Sequence, residues 1–125
     1  MLKCFLQDDR VNFVDSENVF VGYEITQKCC EYSNFKISDY HGNFIMNDVL
    51  LKIHSGDNNF IFDKTFFEIF DPDEDQYENE LKYVKFKIYT PEEEYYLFIY
   101  NKHNGYYAHG FEFRDKDNII QEGSI

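Results

Sequence analysis

The stretch LKYVKFKIYTPEEEYYLFIYNKHNGYYAHGFEF, residues 81–113, decides the fold class. Across residues 81–90 apolar and polar side chains alternate, and parity separates them onto two faces. Lys82, Val84, Phe86, Ile88 and Thr90 share one face, which reads as core; Leu81, Tyr83, Lys85, Lys87 and Tyr89 share the other, which reads as wet. Pro91 starts a turn, and residues 95–100, YYLFIY, are apolar on both faces, as a central strand requires. Asn104-Gly105 supplies the two positive φ values of a type I′ turn, which predicts a hairpin from that strand into residues 106–113. The expectation is an antiparallel meander.

Working toward the N-terminus, residues 60–70 read as one strand entering an acidic loop that runs from Asp71 to Glu80. Before it lies the single helix candidate. Met46, Val49, Leu50 and Ile53 stand at i, i+3, i+4 and i+7, and Gly56 is a natural stop, while Phe44, Ile45 and Leu51 fall off the stripe. Residues 28–38 are extended in character until His41-Gly42-Asn43 breaks the pattern. Residues 11–14 and 19–26 form a hairpin around Asp15-Ser16-Glu17-Asn18, with Val19, Val21, Tyr23 and Ile25 on one face. These elements predict one domain over residues 1–125, mainly β or α+β, with an antiparallel sheet of about six or seven strands and one short helix.

Composition agrees with a folded chain. The 125 residues include 14 Phe and 11 Tyr, enough apolar surface for a core, whereas disordered chains of high net charge are poor in such residues. With 24 acidic and 12 basic residues the net charge is −12, which argues against direct binding to nucleic-acid phosphates or an anionic membrane, because both need a basic footprint. The apolar stretch at the start, MLKCFLQDDR, is broken at Asp8 and Asp9, too early for a signal peptide, and no apolar run is long enough to span a membrane. A cytosolic setting is expected, and with it reduced thiols at Cys4, Cys29 and Cys30.

The charge is local. Positions 68–80 carry Glu68, Asp71, Asp73, Glu74, Asp75, Glu78 and Glu80 with no basic residue, and Glu92, Glu93 and Glu94 form a second cluster; the remainder of the chain is close to neutral. A strand over residues 81–90 spans roughly 33 Å, which makes the clusters two patches separated by well over a Debye length of about 8 Å, unless the long loop folds back along the sheet. Three readings of the longer cluster compete: a solvated loop, a calcium site, and a surface for a basic protein groove. Asp71, Asp73, Asp75 and Asn79 match EF-hand spacing, but Gln76 replaces the loop glycine and Lys82 the bidentate glutamate. A mimic of duplex DNA must align carboxylates densely, since the duplex carries one charge per ~1.7 Å; this segment is dense enough to attempt it.

Other chemistry is weakly signalled. Adjacent side chains on a strand point to opposite faces, so Cys29 and Cys30 are poor joint ligands, and His41, His54, His103 and His109 have no metal-binding spacing. Packed thiols are expected, with a nucleophile built from Cys29 or Cys30, His109 and Glu31 as the rival. No metal and no cofactor is called for.

The segments Gln27-Lys28-Cys29-Cys30-Glu31-Tyr32 and His103-Asn104-Gly105-Tyr106-Tyr107 resemble a family of small uncharacterised phage and bacterial proteins with a CCE motif and an NGYY hairpin. The resemblance covers roughly residues 19–113, departs in an Asn/Ile/Phe-rich middle and at His109-Gly110, and carries over no catalytic residue. It implies a phage or mobile-element gene expressed in a bacterial cytosol. The functional expectation is therefore a non-enzymatic acidic protein whose partner is a basic protein surface, such as the nucleic-acid groove of a host defence enzyme of the CRISPR or restriction type. Its binding residues are Asp71, Asp73, Glu74, Asp75, Glu78, Glu80, Glu92, Glu93 and Glu94. A small cysteine-dependent enzyme or ligand-binding module, and a virion accessory protein, are the alternatives.

Overall fold

The structure is a computed structural model that describes residues 1–25, 32–70, 80–103 and 109–125, with the backbone alone at 32, 33, 80 and 103. Within these residues the chain forms β1 (Lys3–Gln7), β2 (Arg10–Val14), β3 (Val19–Glu24), β4 (Tyr32–Ser38), α1 (Asn47–Ser55), β5 (Ile61–Phe62), β6 (Glu68–Phe70), β7 (Glu80–Tyr89), β8 (Glu94–His103), β9 (Gly110–Asp115) and β10 (Asn118–Ser124). The fold is mainly β, with one short helix, in a single small domain. Sheet I has the order β1-β2-β3-β9-β10; sheet II has the order β4-β8-β7-β5, with β6 also on β7, and every pairing is antiparallel.

The two sheets pack face to face because each strand alternates its apolar side chains inward. Val11, Phe13, Val21, Tyr23 and Phe113 of sheet I meet Ile37, Val84, Phe86, Leu97 and Ile99 of sheet II in one buried cluster. Aromatic contacts cross the seam at Phe86–Phe113 (5.0 Å), Phe13–Phe35 (5.1 Å) and Phe62–Phe113 (6.0 Å), all edge-on. The helix closes the open side between β1 and β4, burying Val49 and Ile53, and Gly56 ends it in the left-handed conformation at φ 76°. Phe44, Ile45 and Leu51, off the stripe, are exposed. Asp15 joins the sheets by hydrogen bonding. Its carboxylate, 4 % exposed, accepts from the backbone N–H of Glu17, Val19 and Phe62, each at 2.9 Å, so the β2–β3 turn is tied to β5.

The β2–β3 hairpin, the helix and the pairing of β7 with β8 follow the sequence pattern; four features differ. Among the described residues ten strands form instead of six or seven, partly because β1, KCFLQ, and β10, NIIQEGS, are edge strands without a clean apolar–polar alternation. Residues 60–70 form two short strands, since Asp63 stops the first. Its carboxylate accepts from the N–H and hydroxyl of Thr65, and its carbonyl accepts from Phe66 N–H.

The hairpin expected at Asn104-Gly105 does not form as a strand pair. β8 pairs with β4 and β7, whereas β9 pairs with β3 and β10 in the other sheet, so the chain crosses the sandwich between them. Residues 104–108 themselves lie outside the described residues. Finally, the second face of β7 is not uniformly wet, because Lys85 is buried. Among the described residues no helix is long and apolar enough to cross a membrane.

Candidate functional site

Of the acidic residues singled out by sequence, Asp71, Asp73, Glu74, Asp75 and Glu78 lie outside the described residues, as do Asn79 of the calcium reading and Cys29, Cys30 and Glu31. Glu80 opens β7, so the strand begins one residue before the expected boundary. Glu92, Glu93 and Glu94 lie at the other end of the same hairpin: Glu80 pairs with His103 and Tyr89 with Glu94. The ten-residue strand separates these ends by roughly 33 Å, so Glu80 and the 92–94 turn lie at opposite ends of β7.

The second segment is a built turn. Thr90 hydroxyl accepts from the N–H groups of Glu92 (3.2 Å) and Glu93 (3.1 Å), and Thr90 N–H donates to Glu93 carbonyl at 2.8 Å. Glu92 and Glu93 are thereby presented to solvent, whereas Glu94 is held by Lys87 at 3.0 Å, a hydrogen bond that raises the lysine above its ordinary value.

Cys4, on β1, is half-buried, and desolvation pushes its thiol up to about 11, a protonated and unreactive state at neutral pH. His109 is buried with Nδ1 3.0 Å from Glu24 carbonyl, and its backbone exchanges both hydrogen bonds with Ile125, which fixes it as a structural residue at the close of sheet I.

Sheet II brings together a different group of residues on its outer face. Register aligns Lys36, Phe98, Lys85 and Glu68 in one row across β4, β8, β7 and β6, and Asn34, Tyr100, Tyr83 and Phe70 in the next. The segment 39–45 folds back over the first row, and Tyr40 covers Lys85. The lysine Nζ sits 3.7 Å from the Tyr40 ring centre, donates to Tyr40 carbonyl at 2.8 Å and pairs with Glu68 at 3.1 Å. Tyr40 hydroxyl donates to the other Glu68 oxygen at 2.9 Å. Burial pushes the Glu68 carboxyl up, but the hydrogen bonds from Tyr40 and Lys85 and the lysine charge outweigh it and leave the carboxyl below its ordinary value. The same hydrogen bond, with the carboxylate's charge, raises the Tyr40 hydroxyl.

Beside this network the face opens into a groove of about 370 Å³ lined by Lys36, His41, Leu81, Tyr83, Phe98 and Tyr100, with Gly42 and Ile45 on its lip. Sequence reasoning passed over Tyr40, Lys36 and Lys85 as site residues. One signal was present: residues 95–100 are apolar on both faces, which requires that the outer face of their neighbours be partly covered.

No curated protein and no solved structure matches the chain. Residues 3–113, however, match the family described as Domain of unknown function (DUF7448), a span that runs from the first residue of β1 into β9. The chain belongs to this DUF7448 family.

Proposed function

We propose that the chain is a non-enzymatic interaction protein of a phage or mobile element that acts in the bacterial cytosol and occupies a basic groove of a host nucleic-acid-handling defence enzyme. Asp71, Asp73, Glu74, Asp75, Glu78 and Glu80 form the main contact and Glu92 to Glu94 the second. The observation that supports this reading most is the concentration of nearly all net charge into two sequence segments that adjoin opposite ends of the β7–β8 hairpin. The ends of β7 stand roughly 33 Å apart, on the scale of one duplex turn, ~34 Å, which supports a groove that ordinarily follows a phosphate backbone as the partner. Complementary charge of this density steers encounter and weakens with salt. Glu92 and Glu93 support a contact role better than Glu94, whose charge is already engaged by Lys87.

The test is affinity recovery from bacterial lysate at low and high salt. The wild-type chain is compared with a variant in which Asp73, Glu74, Asp75 and Glu78 are replaced by Ser, and with a Glu92→Gln, Glu93→Gln variant. The expected result is a nucleic-acid-handling protein retained by wild type, lost at high salt and lost by the fourfold variant, with weaker retention by the double variant. Equal recovery by all three would remove charge-driven binding.

A further inference from the structure

We propose that the groove on the outer face of sheet II binds a small apolar carboxylate, with Lys36 holding the carboxylate and the rings of Tyr83, Phe98 and Tyr100 enclosing the apolar body. The groove's volume of about 370 Å³ falls in the range of small-ligand sites, and its walls have the composition such sites share, apolar side chains with a few convergent polar groups. Its lips hold apolar groups exposed to water: Ile45 is 61 % exposed and Leu81 43 %. Covering them is the favourable part of binding.

Lys36 supplies the specificity. Its ammonium is fixed by donation to Gly42 carbonyl at 3.0 Å and by the Phe98 ring, 5.4 Å away, and an ammonium has three donors, so two remain for a ligand. Gly42 adopts φ 76°, a left-handed conformation that favours glycine, and the turn it makes brings its carbonyl to the lysine. Among the described residues Lys36 meets no carboxylate, in contrast to Lys85 in the same row, whose charge is met by Glu68. Both Glu68 oxygens are engaged, one by Lys85 and one by Tyr40 hydroxyl, so the network does not compete for Lys36. Among the described residues the groove therefore offers one positive charge that no carboxylate meets, at the rim of an apolar cavity, and the complementary ligand carries one negative charge on an apolar body. A phosphomonoester, with a charge of about −1.5 to −2 at neutral pH, is less well matched to a single ammonium.

The experiment is NMR titration with 3-phenylpropionate as the probe and its neutral amide as the control, observing the ring resonances of Tyr83, Phe98 and Tyr100 and the Lys36 side chain. Saturable shifts confined to these residues are expected, weakened about tenfold or more for the amide and for Lys36→Gln, the loss of a charge-assisted hydrogen bond. Lys36→Arg, which keeps the charge, should retain binding, and unchanged amide spectra elsewhere show that each variant is folded. Equal affinity for acid and amide, shifts that do not saturate, or shifts outside the groove would overturn the assignment. Tighter binding of a short peptide ending in phenylalanine than of the free acid would overturn it as well, since the groove would then be a peptide-terminus site.

Discussion

On the outer face of sheet I, Arg10 reaches Glu112 at 3.4 Å, passing over Gly22, where a Cβ would come within 2.8 Å of the guanidinium. On the outer face of sheet II, Lys85 reaches Glu68 at 3.1 Å beneath the ring of Tyr40. The ingredients are alike, a basic residue and a glutamate on neighbouring or near-neighbouring strands, but their surroundings differ. The Arg10 side chain is 39 % exposed and that of Lys85 is 5 % exposed. In the first case water screens the pair, which lies over the Gly22 backbone beside the Phe20 ring. In the second, a returning loop supplies a ring face, a carbonyl and a hydroxyl, so the charge is held in a medium that makes each partner matter. What a charged row does on a sheet is thus set by what lies over it.

The largest effect is expected where neither face is involved but both sheets share one group. Asp15→Ala leaves three backbone N–H groups of the β2–β3 turn and β5 without their acceptor, a loss of about 3–5 kcal/mol. Chemical denaturation measures it, and a loss below that of any outer-face variant would show that the turn and β5 are not coupled through this carboxylate.

Next comes the Lys85 network, where an asymmetry sharpens the contrast between faces. Glu68→Ala strands a buried ammonium and should cost about 1–3 kcal/mol, less than a fully buried pair because the glutamate side chain is 40 % exposed. Lys85→Met fills the same space with an apolar chain and leaves Glu68 at an edge where water reaches it, so its cost should be about 1 kcal/mol or less. The pH dependence has a definite sign. The folded Glu68 carboxyl lies below its ordinary value of 4.5, so its stabilisation is present above that value and lost as pH falls through the folded one. Unfolding midpoints of wild type and Glu68→Gln should converge in acid; a constant gap would contradict the assignment.

The smallest effect belongs to sheet I. Glu112→Ala should cost about 0.5 kcal/mol or less, and less still in high salt. A cost equal to that of Glu68→Ala would break the comparison.

How legible these features were depends on how far apart in sequence their determinants lie. Val19, Val21 and Tyr23 announce their strand by alternation, and Asp15 to Asn18 announce the turn, because both signals are local. Met46, Val49, Leu50 and Ile53 announce the helix for the same reason, down to its stop at Gly56. Asn104-Gly105 is as strong a local signal, yet β8 finds β4 and β9 finds β3, partners 58 to 96 residues away. β4 and β7 already occupy both hydrogen-bonding edges of β8, which leaves β9 no edge there to pair with. The acidic clusters were legible as charge, and the 92–94 turn as one end of the β7–β8 hairpin. The groove was not: its lysine comes from β4, its rings from β7 and β8, and its lip from the segment beside the helix.

Sequence alone determined that this chain is a single, mainly β domain with one short helix, and that its charge is concentrated in two segments, since alternation, helical spacing and charge position are properties of neighbouring residues. Tertiary structure decided the division into two sheets, the passage of the chain between them after β8, the burial of Lys85 and the exposure of Lys36 to an open groove. These depend on which strands lie side by side and what folds over them, and such pairings are selected by burial over the whole molecule, against which the preference of a single turn is a small term.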